Sequence, residues 1–352
     1  MKTRLPWASR LFLLGMFAAW AGAAPCQSSS PPASHHRLHL LDFHIRDPWI
    51  LADARSRTYY LYATNSEQVT GVHRAGVMVY KSGDLRNWEA PSLVFTLPGG
   101  TWANPQEAAW APEVHAYRGK FYLFVTLHNS AKIIAAQPAV RRTNTMRGTT
   151  IAVSDSPEGP FTLLKTEGPI PPADFMTLDG TLYQDRAGKP WMVYAHEWAQ
   201  KVDGTVEALP LKPDLSGAAS APIFLFKGSD APWLDGYLQA DRRELSYVTD
   251  GPELFRSKDG HLLMLWCSFG PGGYIETVAR SKSGEVRGPW EQLPPLLEVD
   301  GGHGMLFRRF DGQLMLVLHR TNTDAYAKIY EIDDDGDHLA VKRECTDLDG
   351  AE

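Results

Sequence analysis

The chain has 352 residues, 43% of them hydrophobic, with a formal net charge of −6. That balance fits a globular protein with a sizeable core. With no basic run longer than a pair or so, it excludes an electrostatic footprint for nucleic acid. Eleven Trp and thirteen Tyr offer faces for sugar rings, but aromatics also fill β cores and do not select a function alone.

In chain order, the first feature is a leader. Lys2, Arg4 and Arg10 precede the apolar run "LFLLGMFAAWAGAA", and Ala21 and Ala23 form an A-x-A cleavage site. This pattern predicts a signal peptide over residues 1–23, too short and wrongly flanked for a membrane span. Cys26 raises the alternative of a lipid anchor, but Pro25 occupies the place where a small residue should precede such a cysteine. The expected product is secreted or periplasmic, with no membrane partner after cleavage. Residues 24–38, with "QSSSPPASHH", read as a disordered lead-in. Only Cys267 and Cys345 follow Cys26, so no disulfide framework is implied, and Cys267 reads as a buried thiol in an apolar strand.

From residue 39 to 345 the sequence repeats itself. Five segments align: "RDPWI" at Arg46, "WAPEV" at Trp110, "LDGTL" at Leu178, "DGPEL" at Asp250 and "GHGML" at Gly302. Each leads, through a turn, to an aromatic or aliphatic strand: "YYLYAT", "FYLFVT", "WMVYAH", "LLMLWC" and "LMLVLH". The turns "RGK", "AGK", "KDG" and "FDG" are hairpin signals. Further strands such as "GVMVYKS" and "GTTIAVS" complete the units, the third being the loosest. A spacing of about fifty to seventy residues suits four-stranded blades with loops. The expected fold is all-β, a single-domain five-bladed propeller. "DDDGD" at Asp333 lacks the spacing and closing glutamate of a calcium loop and reads as a hairpin turn.

In a propeller the first strand of every blade lines the axis, so its start points into one central pocket. Asp47, Asp179, Asp250 and His303 are placed at such starts, with Ala111 in the second unit. The far ends of the second strands return to the same face, bringing Asn65, His128, Glu197, Ser268 and Arg320 to the rim, with Trp110 and Trp198 nearby. An Asp before Gly or Pro is usually turn chemistry, but three at matching repeat positions converge on one axis. Glu113 and Glu253 share the strand parity of these residues and read as channel acids lying deeper.

The ordered motifs "IRDPWI…YYLYAT", "WAPEVH", "LDGTLY…GKPWMVY", "DGPELF" and "GGHGMLF" resemble the family 43 glycoside hydrolases, over roughly Asp42 to Val341. The resemblance implies a five-bladed propeller acting on arabinose- or xylose-containing glycans by inversion. It assigns Asp47 as general base and Asp179 as the aspartate that tunes and orients the acid. It matches His303 to the histidine that in some members helps hold a metal ion or water, leaving room for a structural calcium ion in the channel; no organic cofactor is implied. The family's fourth blade carries Glu-Gly-Pro, whereas this chain has Asp250, one methylene shorter. Asp250 is the first candidate for general acid, Glu197 in "AHEW" the second, and Glu253 the third. The expected activity is that of an exo-acting α-L-arabinofuranosidase or β-xylosidase. Trp110, His128, His303 and Arg320 are expected to bind the carbohydrate. The alternatives are a non-catalytic carbohydrate-binding propeller, or a hydrolase of another linkage on the same scaffold.

Overall fold

The structure, a computed structural model, describes residues 37–135, 143–236, 245–298 and 300–350. The expected signal peptide and Cys26 lie outside the described residues. Twenty strands form five antiparallel sheets of four, each in sequence order from the axis outward. Blade I comprises β1 (Trp49–Asp53), β2 (Thr58–Thr64), β3 (Gly76–Ser82) and β4 (Ser92–Thr96). Blade II comprises β5 (Trp110–Tyr117), β6 (Lys120–Ile133), β7 (Thr145–Ser154) and β8 (Thr162–Leu163). Blade III holds β9 (Thr177–Gln184), β10 (Pro190–His196), β11 (Thr205–Pro210) and β12 (Ile223–Lys227). Blade IV holds β13 (Asp250–Arg256), β14 (Leu262–Gly270), β15 (Gly273–Ser281) and β16 (Trp290–Leu297). Blade V holds β17 (Gly301–Arg308), β18 (Leu314–Arg320), β19 (Tyr326–Asp334) and β20 (Leu339–Glu344). The innermost strands contact one another in the cycle β1, β5, β9, β13, β17 and back to β1, which closes the ring.

The repeat reflects how a blade is buried. A second strand has a sheet neighbour on each side and another blade against each face, so alternation disappears and every residue of β10 is buried. The hairpin turns carry the backbone that their sequences announce. Arg118 and Gly119, between β5 and β6, both have positive φ (48° and 80°), as a two-residue hairpin of the right twist requires.

The core is divided into seams between blades. Blades I, II and V share one cluster around Leu61, Leu123 and Val317, and separate clusters join II to III, III to IV and IV to V. Burying each such aliphatic side chain is worth about 1.5–3 kcal/mol. The segment before β1 closes the ring without a covalent link. Leu38 exchanges backbone hydrogen bonds with Trp88 of blade I, while Leu41 N donates to Asp349 O and Ile45 N to Ala325 O, beside blade V. Trp88 is wholly buried, and its indole donates to Leu85 O.

Candidate active site

The first strand of every blade starts from one residue in the left-handed region: Asp47 (φ 49°), Ala111 (43°), Asp179 (55°), Gly251 (51°) and His303 (53°). For a residue with a side chain this costs about 1–2 kcal/mol. Bulges in the pairing of β5, β13 and β17 lie at the same level, and such bulges aim side chains out of a regular ladder. The blade IV member is therefore Gly251. Asp250, expected at the same register as Asp47 and Asp179, stands one residue earlier. A glycine suits position 251, because a Cβ there would sit 3.0 Å from the His303 ring and press it aside.

These kinks surround a cavity of about 530 Å³, whose lining includes Asp47, Trp110, Asp179, Asp250, Tyr274 and His303. His303 Nδ1 lies 3.2 Å from Asp47 Oδ1 and 3.8 Å from Asp179 Oδ2. His319, wholly buried, sets its Nδ1 3.2 Å from Asp47 Oδ1. Asp179 accepts from Gly251 N at 3.1 Å, and its own N donates to Thr126 Oγ1 at 2.9 Å. Tyr274 donates from Oη to Asp250 Oδ2 at 3.1 Å and stacks its ring on His319.

The three aspartates differ in charge. Burial acts to raise Asp47, but His303, His319 and Arg46 outweigh it and hold this carboxyl well below the usual range. Burial also keeps His303 below the imidazole range, against the pull of Asp47, so the ring serves as a neutral donor. Asp250 is pushed up to about 7 by burial and then by the charges of Glu197 and Asp47; the Tyr274 hydrogen bond opposes the rise. Burial, Asp250 and Asp47 raise Asp179 well above its ordinary value. One carboxylate held ionised beside another held protonated, in one cavity, is the pair that general acid–base chemistry needs.

The second-strand ends contribute less than expected. Asn65 lines the cavity. Glu197 is buried; its Oε2 accepts from Arg147 Nη1 at 2.5 Å, and the same guanidinium donates to His128 Nδ1 and lies over the Trp110 ring. Burial pushes Glu197 up while Arg147 and His196 pull it back. His128 thus supports Trp110 from behind, with ring centroids 4.0 Å apart. Ser268 is spent on Val248 O. Arg320, expected at the pocket, turns along its own blade to Tyr330 and Glu344, with its stem packed over Gly301. Glu113 and Glu253 line a narrow space beneath Asp47 and His303, and burial raises both well above the carboxylate range.

A five-bladed ring with this axial cavity is shared with known enzymes. The profile described as Glycosyl hydrolases family 43 matches residues 40–339. The chain belongs to this family. It is 37% identical to the endo-arabinase from Bacteroides thetaiotaomicron, with a TM-score of 0.75 over 86% of this chain and 99% of that one. It is 23% identical over 223 residues to the extracellular endo-alpha-(1->5)-L-arabinanase 1 of Bacillus subtilis, covering 59% of this chain and 62% of that protein. It therefore matches less than two thirds of that relative's length. It is 25% identical over 291 residues to the extracellular exo-alpha-(1->5)-L-arabinofuranosidase ArbA of Cellvibrio japonicus, over 74% of this chain and 75% of that protein. Family 43 membership makes this protein a glycoside hydrolase by descent and carbohydrate its substrate class.

In some members of family 43 the histidine of the last blade meets a metal ion, and His303 can be tested for that role. Calcium takes 6–8 oxygen ligands, whereas His303 Nδ1 is already directed at two carboxylates. Among the described residues no group of three or more His, Cys, Asp and Glu side chains is arranged to hold a metal ion. The residues present fit hydrogen bonding at His303 rather than ligation. Three contributors were not singled out from the sequence: Tyr274, Arg147 and His319, the last residue of "LMLVLH". His319 adjoins Arg320, so strand parity applied at the end of β18 would have found it.

Proposed function

We propose that the protein is a secreted, inverting hydrolase of arabinofuranosyl or xylosyl linkages in plant-type glycans. Arabinofuranosyl bonds come first, because the three relatives above are named for arabinan or arabinofuranoside. Secretion rests on the leader and on the two relatives named as extracellular.

Asp47, held ionised, takes a proton from water as the water oxygen attacks the anomeric carbon. The glycosidic bond breaks, and its oxygen leaves with the proton of Asp250. The product hydroxyl stands opposite the broken bond, Asp47 ends protonated and Asp250 ends ionised, and exchange with solvent resets both. Glu197 is a negative neighbour that raises Asp250, while Asp179, itself raised by burial and by Asp250 and Asp47, accepts from the backbone at Gly251. Asp250 is preferred to Glu197 as donor because Asp250 lines the cavity while Glu197 is paired with Arg147 behind it. One observation carries the reading: a carboxyl at about 7 shares a cavity with a carboxylate held far lower.

The test is turnover of nitrophenyl α-L-arabinofuranoside and β-xyloside, with the anomer of the first-formed sugar followed by NMR. Inverted product is expected. Tight oligosaccharide binding without turnover would replace the hydrolase with a binding protein, and retained configuration would sink the single-displacement mechanism.

A further inference from the structure

The candidate acid and base stand on blades that are not neighbours in the ring. In the cycle of innermost strands, blade V lies between blade IV, which carries Asp250, and blade I, whose first strand follows Asp47. One chain of contacts spans the interval. His319 of β18 sets its Nδ1 3.2 Å from Asp47 Oδ1. Its ring stacks on Tyr274 of β15, with centroids 5.5 Å apart and planes at 14°. Tyr274 Oη in turn donates to Asp250 Oδ2 at 3.1 Å.

Both rings in this chain are held in place. His319 is wholly buried in the ladder of blade V, opposite Gly302 on one side and Ala327 on the other. Tyr274 is also buried and tilts against Phe269. Its ring rests on Gly302, where a Cβ would lie 2.7 Å from Cε1. Burial, and then the charge of Asp250, keep the Tyr274 phenol well above its ordinary range, so the hydroxyl remains a donor. Supports locked by packing in this way can hold a reacting side chain to within about 0.5 Å.

We propose that the stacked pair His319 and Tyr274 is a positioning element that sets the separation of the Asp47 and Asp250 carboxyls. The inference rests on the reading of these two as base and acid, and deepens it. Single displacement needs the two groups about 6.5–9.5 Å apart, so that water fits beside one and the leaving oxygen beside the other. Asp250 is one methylene shorter than the family's glutamate, so its carboxyl has less freedom to find that place unaided. The backbone and the Tyr274 hydroxyl hold it there. His319 has its hydrogen bond with the base, yet through the stack its ring also governs the acid.

Two substitutions of one residue separate its two contacts. His319→Asn keeps an N–H close to the place of Nδ1 and removes the ring, whereas His319→Phe keeps a ring and removes the donor. The substrates are a linear arabino-oligosaccharide, whose leaving sugar needs a proton, and nitrophenyl α-L-arabinofuranoside, whose phenolate departs with little help. His319→Asn should lower kcat on the first about tenfold more than on the second, the mark of a displaced acid. His319→Phe should lower both alike. Independently of turnover, the carboxyl carbon NMR titration of Asp250, identified by its loss in Asp250→Asn, should move to higher pH in His319→Asn as the Tyr274 bond slackens. The neighbours Glu197, Asp47, Arg46 and Asp179 are all kept in that variant. Gly302→Ala, whose added methyl meets Tyr274 and Cys267 rather than either carboxyl, should give the same two results as His319→Asn and replaces it if that variant does not fold. Equal losses on both substrates, or an unmoved Asp250 titration, in the folded variant would overturn the proposal. A titration that moves while the wild type turns over neither substrate would leave the pair standing and sink the hydrolase reading instead.

Discussion

Tyr274 Oη donates to Asp250 Oδ2 at 3.1 Å, joining the third strand of blade IV to the head of its first. A hydrogen bond given to a carboxylate favours its ionised form. Tyr274→Phe should therefore raise Asp250 further above its present value of about 7. A proton donor works while protonated, so the alkaline limb of the kcat/KM profile should move to higher pH. A limb that stays in place or moves down would separate Tyr274 from the titrating group.

The identity of the donor can be read from leaving groups. Asp250→Asn should abolish cleavage of natural linkages yet spare nitrophenyl glycosides, whose phenolate departs with little help. Glu197→Gln should depress both substrate classes alike and shift the alkaline limb down, since it removes a negative neighbour of Asp250. If the leaving-group dependence appears in Glu197→Gln instead, the roles are exchanged.

Asp47→Asn should lower kcat by a factor of about 10²–10⁴, the usual cost of losing a general base. Circular dichroism should be unchanged, because Asp47 bonds through its side chain only within the cavity. Wild-type turnover by the folded variant would remove Asp47 from the mechanism.

Stability should fall as pH rises from 6.5 to 8. Burial lifts Glu276 from 4.5 to about 8, so the folded protein keeps a proton that the unfolded chain has released across that window. His115 and His128, pushed down to about 3, act in the opposite sense but only below their ordinary 6.5. Glu276→Gln should flatten the decline of Tm between pH 6.5 and 8. It should not erase it, because Glu113, Glu253 and Asp179 are also raised. A wild-type Tm that is level or rising over that interval would contradict this account.

Trp88→Ala should cost about 3–5 kcal/mol, the range for deleting a large buried aromatic. The indole is wholly buried, and its backbone holds Leu38 by two hydrogen bonds. A urea midpoint within error of wild type would show that the closing segment does not depend on it.

The blades were legible because hairpin turns and aromatic second strands repeat locally, and Asp47, Asp179 and His303 because each occupies the same place in its repeat. Asp250 was misplaced by one residue: the alignment of "DGPEL" with the other four segments sets Gly251, not Asp250, opposite Asp47, and the acid was matched in its place. Tyr274 and Arg147 lie on third strands and His319 at the end of a repeated second strand whose match is apolar, and only the closed ring brings them to the site. Arg320 was read from strand direction alone, which does not show that its guanidinium is taken up by Tyr330 and Glu344.

His303 and His319 reach Asp47 from the last blade to be made, His319 standing 272 positions along the chain from its partner. A chain emerging from its N-terminus exposes Asp47 early, as a solvated aspartate beside Arg46 but without the two histidines that depress it. Contacts of such long sequence separation form late, and this one waits until residues 44 and 45 have strands near Tyr326 and Ala325 to join. The charge pattern around Asp47 is thus a timer as well as a site. Ring closure and the depression of Asp47 by the two histidines arrive together, and a chain stopped short of blade V lacks both.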